Sequence, residues 1–278
     1  MTDPLAAAIA DFVRVALSED LGEAGDITSA AVIPAGTRLA AAMVAREHLV
    51  VAGLGAAEAV FVALDPASRL TIRIADGGVA QPGETLARIE GDGRALLAAE
   101  RSALNIVQHL SGIATMTRAY VDAVAGTGSV LLDTRKTLPG LRVLEKYAVR
   151  MGGGTNHRMG LYDAVLIKDN HVALAGGVGE AVARAKAAGH AVEVEVDRLD
   201  QIEPALAAGA DRLLLDNMSP DQLRAAVALV AGRVPTEASG GVRLDTVHAI
   251  AATGVTYVSV GRLTQSAPAV DIGLDWAG

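Results

Sequence analysis

Four cations stand on or just after two short apolar runs. Arg135 and Lys136 follow VLL at 130–132, while Arg158 and Lys168 flank AVLI at 164–167. A guanidinium grips a carboxylate or phosphate through two parallel hydrogen bonds, and lysine supplies a movable point charge. Cations converging in this way imply a multiply anionic substrate. Glu195, inside AVEVEV, and Asp216, directly after RLLL, are the acids best placed to join them. Two such carboxylates suit Mg²⁺, a hard ion that takes oxygen ligands and leaves room for substrate phosphates. His157, between Asn156 and Arg158, offers a hydrogen-bond donor, but a lone histidine packs as often as it acts. Ser239-Gly240-Gly241 and Val260-Gly261-Arg262 are small turns whose backbone N–H groups can hold a phosphate.

The charge distribution supports a focused anion site. The chain carries a formal net charge of −8, yet residues 131–171 hold seven Lys/Arg against four Asp/Glu. A basic region in an acidic protein reads as a local site rather than a sticky surface. Arg142, Lys146 and Arg150, spaced by four, are expected to be a solvated helix face. An acidic chain with 3% aromatic residues argues against nucleic-acid binding. The absence of cysteine removes disulfides, thiolate chemistry and Cys-based zinc sites, and fits a reducing cytoplasm. The N-terminal segment carries Asp3, Asp11 and Arg14 among its apolar residues, so it reads as a surface helix rather than an export signal. No segment reaches membrane-spanning length without charge or glycine.

The elements that must position these residues follow a rhythm after residue 128. Strand-like runs at 130–132, 164–167, 191–196, 212–215, 235–238 (weak) and 256–260 alternate with helical patterns, several of which end in glycine. Such alternation implies parallel pairing, in a barrel or an open wound sheet. Polar or small residues close nearly every strand: Asp133 to Lys136, Lys168-Asp169, Glu195, Asp216-Asn217, Ser239 to Gly241, and Gly261-Arg262. In α/β barrels that rim is where active sites are built. Residues 1–128 read as a smaller α+β region, with helices near 4–17 and 54–64, strands at 38–45 and 70–75, and a long helical pattern feeding the barrel.

Blander readings stand beside these. Alternation puts Glu193 and Glu195 on one strand face, where a structural ion pair with a barrel lysine is a fair alternative to metal binding. MGGGTNHRMG lacks the Gly-Lys-Ser/Thr of a nucleotide P-loop, so Gly152 to Gly154 are read as backbone freedom that carries His157 and Arg158 to the site. The histidines are too scattered for a metal cluster, and GDITS carries no chemical signal. A non-catalytic sensor of a phosphorylated metabolite and an aldolase using Lys168 as a Schiff base remain as rivals.

With these residues assembled, the chain resembles the quinolinate phosphoribosyltransferases. The matching segments run from residue 19 to 264: EDLGEAGDITS, ERSALNIVQHLSGIAT, LLDTRKTLPGLRVLEKYAVRMGGGTNHRMGLYDAVLIKDNH, EVEV, LLLDNMS, EASGGV and GVTYVSVGRLT. The resemblance implies an α/β fold in which an N-terminal α/β sandwich, residues 1–112 joined by 266–278, accompanies an incomplete TIM-like barrel at 113–265. It implies a homodimer that joins quinolinate to phosphoribosyl pyrophosphate, releasing pyrophosphate and CO₂ and giving nicotinate mononucleotide. Arg101, from the partner subunit, would reach the pyridine dicarboxylate. Thr134, Arg135, Lys136, His157, Arg158 and Lys168 would surround quinolinate and the pyrophosphate. Glu195 and Asp216 would hold the ribose hydroxyls and Mg²⁺, partly through substrate or water. Lys136, Lys168, Glu195 and Asp216 are the expected catalytic set, with Ser239 to Gly241 and Val260 to Arg262 taking the ribose 5-phosphate. Gly241 departs from the asparagine of many relatives. A transferase using another aromatic acid, such as nicotinate, is the remaining alternative.

Overall fold

A computed structural model describes residues 3–277. In chain order the elements are α1 (Pro4–Leu21), α2 (Ile27–Val32), β1 (Arg38–Ala45), β2 (Leu49–Val50), α3 (Leu54–Leu64), β3 (Arg69–Ile72), β4 (Val79–Ala80), β5 (Thr85–Asp92) and α4 (Gly93–Val124). There follow β6 (Val130–Leu132), α5 (Arg142–Met151), β7 (Val165–Ile167), α6 (Asp169–Ala175), α7 (Val178–Ala187), β8 (Val192–Val196) and, after a 3₁₀ turn at Leu199–Gln201, α8 (Ile202–Ala207). The chain ends with β9 (Arg212–Asp216), α9 (Pro220–Val230), β10 (Thr236–Ser239), α10 (Val247–Ala251), β11 (Tyr257–Ser259), α11 (Arg262–Gln265) and β12 (Ile272–Ala277). No helix among the described residues is long and apolar enough to cross a membrane.

The chain divides into two compact units. The first comprises 1–118, 137–153 and 263–278, of which residues 1, 2 and 278 lie outside the described part; the second comprises 119–136 and 154–262. Residues 137–153, expected within the barrel segment 113–265, therefore count with the first unit.

In the first unit a four-stranded antiparallel sheet runs β12-β1-β5-β3. The C-terminal strand thus pairs with β1. Asp3 and Pro4 start α1: the Asp3 carboxylate accepts the Leu5 N–H, and proline at the first turn loses no hydrogen bond there. GDITS, which carried no chemical signal, is a helix start, because Asp26 accepts the N–H groups of Thr28 and Ser29. The core is aliphatic, built on residues such as Met43, Leu49, Val60, Leu86, Ile89 and Leu96, with Phe61 fully buried.

α5 corrects the reading of Arg142, Lys146 and Arg150 as one solvated face. Arg150 is exposed, but Lys146 is fully buried beside an equally buried Glu145. Glu145 accepts from His109 Nε2 at 2.8 Å and from the Leu138 N–H, which gives the buried acid its partners. Gly152 is corrected too. Its φ of −72° is ordinary helix, and what it provides is closeness: a Cβ there would lie 2.5 Å from the Ala114 carbonyl oxygen. Gly153, at φ +93°, does hold the left-handed conformation that favours glycine.

In the second unit six parallel strands run β6-β11-β10-β9-β8-β7. The first strand in sequence pairs with the last, and the sheet's two edges, β6 and β7, are sequence neighbours. That order belongs to a barrel opened between β6 and β7. Thr155 bridges to Leu132 at the open edge of β6. From there the His157 side chain reaches Glu193 on β8 and Glu237 on β10, which requires the sheet to curl. The weakly signalled strand at 235–238 is β10, one residue later and central in the sheet, with Pro235 just outside it. The helix expected from RLDTVHAIAATG is only α10. Asp245 pairs with Arg243 instead of capping a helix, and Thr246 Oγ1 accepts the Arg243 N–H.

Candidate active site

The parallel registers align the strand ends. Ser259 pairs with Leu132, Ala238 with Val258, Asp216 with Ser239, Leu214 with Glu195, and Val194 with Ile167. Residues just past these partners therefore share one rim. Side chains alternate along a strand, so Glu195, Asp216 and Ser239 point the same way as Glu193, Arg212 and Glu237, which lie deeper in the barrel.

At the rim the Lys168 ammonium is paired with the Glu195 carboxylate. The alternative of a structural ion pair with a barrel lysine thus describes a contact that exists, but it forms at the mouth, with Lys168 47% exposed. Burial first, and then the negative charge of Glu195, push the Asp216 carboxyl above its ordinary value; Lys168 and Lys136 pull it back. These four groups therefore feel one another. Lys136 also lies across Gly261, since a Cβ at that glycine would stand 2.8 Å from Lys136 Cδ. Its backbone N–H donates to Thr134 Oγ1.

A second cationic pair sits beside the first. Burial, and then the charge of Arg135, hold the Arg158 guanidinium below its usual value. Two guanidinium groups whose charges repel, with Arg135 Nε buried and making no hydrogen bond among the described residues, are suited to receive an anion. Ser239 to Gly241 follow β10, with Gly240 and Gly241 at φ +93° and +62°. Val260 to Arg262 follow β11, and the Val260 N–H donates to the Leu132 carbonyl. Every expected site residue except Arg101 thus belongs to the second unit. Arg101 is exposed on α4 in the first unit, beside a cavity of about 610 Å³ lined also by Asp11, Arg14, Glu19 and Asn105.

His157 departs from its expected role as a free donor. Nε2 lies 3.2 Å from Glu193 and 3.5 Å from Glu237. Burial opposes charging the ring, but hydrogen bonds and attraction from these two carboxylates outweigh it and raise the pKa to about 9. The neutral ring accepts the Arg158 N–H at Nδ1, 2.7 Å away, and charging it gives up that contact. One histidine does have acids close by: ligand atoms of His157, Glu193 and Glu237 lie within 4.8 Å of one another. Arg212, with Nη1 3.3 Å from Glu237 and 3.8 Å from Glu193, already supplies a counter-charge there.

Four residues of this architecture were given no role in the sequence reading, although it placed Asp133 and Asn217 at strand ends. Asp133, fully buried, accepts the Asn156 amide at 2.6 Å and the His157 N–H at 2.8 Å. Arg212 and Glu237 lie under the rim. Asn217, left-handed at φ +54°, donates its amide to Asp216 at 2.6 Å. The alternation that paired Glu193 with Glu195 applies equally to Glu237 and Ser239, and would have found Glu237.

An open-edged parallel α/β barrel with four cations, two acids and glycine turns on its rim defines an enzyme of phosphorylated, polyanionic substrates. Comparison with known proteins narrows the class. Residues 26–111 match the N-terminal domain, and residues 113–275 the C-terminal domain, of quinolinate phosphoribosyl transferase. The carboxylating nicotinate-nucleotide pyrophosphorylase of Mycobacterium leprae is 48% identical over 275 residues, spanning 95% of this chain and 96% of its own. The probable counterpart from Bacillus subtilis is 45% identical over 92% of this chain and 89% of its own. The solved nicotinate-nucleotide pyrophosphorylase from Francisella tularensis superposes over the whole of both chains, with a TM-score of 0.93 at 38% identity. The chain belongs to the quinolinate phosphoribosyl transferase family.

Proposed function

We propose that the chain transfers the phosphoribosyl group of phosphoribosyl pyrophosphate to the pyridine nitrogen of quinolinate, with decarboxylation, in the synthesis of NAD. Family membership supports the reaction, and the observation that carries it to this site is the cluster of Arg135, Lys136, Arg158 and Lys168 around Glu195 and Asp216. Quinolinate brings two carboxylates, and its partner brings a monoester and a diphosphate. Away from bulk water that charge has to be matched by protein cations.

The pyridine nitrogen has no proton to lose, so its attack on the ribosyl carbon requires no general base. Arg135 and Arg158 clamp the dicarboxylate and aim the ring, while Lys136 and Lys168 offset charge growing on the departing pyrophosphate. Glu195 and Asp216 hold the ribose hydroxyls, and the backbone of Ser239 to Gly241 and Val260 to Arg262 takes the 5-phosphate. Once the nitrogen is ribosylated, the cationic ring stabilises the electron pair left on C2 as the 2-carboxylate departs as CO₂, and a proton taken up at C2 from water completes nicotinate mononucleotide. Glu195 and Asp216 also fit Mg²⁺: both are oxygen donors, and the Asp216 carboxyl is held above its ordinary value by burial and then by the charge of Glu195, which an added cation would relieve. When bound, the ion neutralises charge on the leaving group.

Arg101 completes the site from the partner subunit of a homodimer. Its exposure on α4, where it makes no ion pair among the described residues, supports that reading. A chain without cysteine fits a cytoplasmic enzyme. Choice of acid is tested by offering quinolinate and nicotinate together with phosphoribosyl pyrophosphate and Mg²⁺. Nicotinate mononucleotide is expected from quinolinate alone; preferential consumption of nicotinate would reassign the substrate.

A further inference from the structure

Beneath the rim, Glu193 and Glu237 are 9% and 1% exposed, and Arg212 stands between them, its guanidinium 4.1 Å over the Tyr257 ring. Burying two carboxylates is costly, and Arg212 alone balances only one of them. The other faces His157, whose Nε2 lies 3.2 Å from Glu193 and 3.5 Å from Glu237, and which is joined to Arg158 by a peptide bond. The chain from β8 and β10 through His157 therefore ends at the residue that carries a substrate-facing guanidinium.

We propose that Glu193 and Glu237, braced by Arg212, are positioning residues: they fix the His157 ring and, through it, the backbone of Arg158, and so set the affinity for the pyridine dicarboxylate. This rests on the proposed reaction and extends it one layer into the barrel. The acids touch no substrate. Their effect reaches quinolinate through His157 and Arg158, while the phosphoribosyl groups are held one layer above, at the rim, by Glu195, Asp216 and the turns after β10 and β11.

The test is Glu237→Gln, which keeps the shape and removes the charge. The expected result is a KM for quinolinate raised about tenfold, with a smaller change in kcat, because one of the two carboxylates facing His157 loses its charge. KM for phosphoribosyl pyrophosphate should stay within about twofold, a split that general loosening of the fold would not give. In a His157→Gln background the same change should add nothing further, since both act along one path. Glu193→Gln gives the same pattern and serves if Glu237→Gln does not fold. An unchanged KM for quinolinate, or independent effects in the double variant, overturns the positioning role while leaving the reaction standing. Absence of turnover in the unaltered enzyme overturns both.

Discussion

Replacing Lys168 with alanine is expected to lower kcat/KM about a thousandfold, the scale seen when one preorganised charge is removed from a transition state. The ammonium is paired with Glu195 and is one of two cations that hold down the Asp216 carboxyl. Without it, two carboxylates face each other with less compensation, just where a diphosphate must develop charge and leave. The fold should survive. Lys168 is 47% exposed, and an ion pair of that kind contributes at most about 1 kcal/mol. Steady-state kinetics beside thermal melting separates the effects. A variant that melts normally but keeps kcat/KM within about threefold would remove Lys168 from the chemistry.

The second large effect is expected at a residue without a side chain. Gly240 has φ +93°, and a Cβ there would stand 2.1 Å from Asn217 Oδ1 and 2.9 Å from the Asn217 backbone nitrogen. The left-handed conformation alone costs an L-residue about 1–2 kcal/mol. The clash adds to this, because Asn217 must move, and its amide is the group that holds Asp216. Gly240→Ala should therefore lose about a hundredfold in kcat/KM, since displacement of a positioning group by about 1 Å has that effect. Gly241→Ala is the informative comparison. Its φ is +62°, but nothing lies within 4 Å of the added Cβ, so it carries strain without collision. Measured together, Gly240→Ala must be much the worse of the two; equal losses would mean that Asn217 does not transmit the damage to Asp216.

Most of the rim was legible in the sequence because two local rules coincide there. A parallel strand is a short apolar run, and in a barrel its C-terminal end carries the chemistry. Asp133 to Lys136, Lys168, Glu195 and Asp216 each sit where an apolar run stops. The layer beneath was harder to read. β10 carries a glutamate in the middle of TEAS and begins just after a proline, so its central place depends on pairing with β9 and β11, which local pattern does not reveal. His157 looked isolated because its partners lie 36 and 80 positions further along the chain. The spacing of Arg142, Lys146 and Arg150 fits a wet helix face, and only the packing of α5 shows Lys146 buried. Asn217 has a left-handed backbone that its residue type permits but does not announce.

The most direct measurement is stoichiometric. Quinolinate labelled in its 2-carboxyl group is incubated with the purified protein, Mg²⁺ and phosphoribosyl pyrophosphate, and labelled CO₂, pyrophosphate and nicotinate mononucleotide are counted together. Equal amounts of all three, and none without phosphoribosyl pyrophosphate, are expected. Label released without that co-substrate, or pyrophosphate released with the carboxyl retained, would contradict transfer coupled to decarboxylation at this rim.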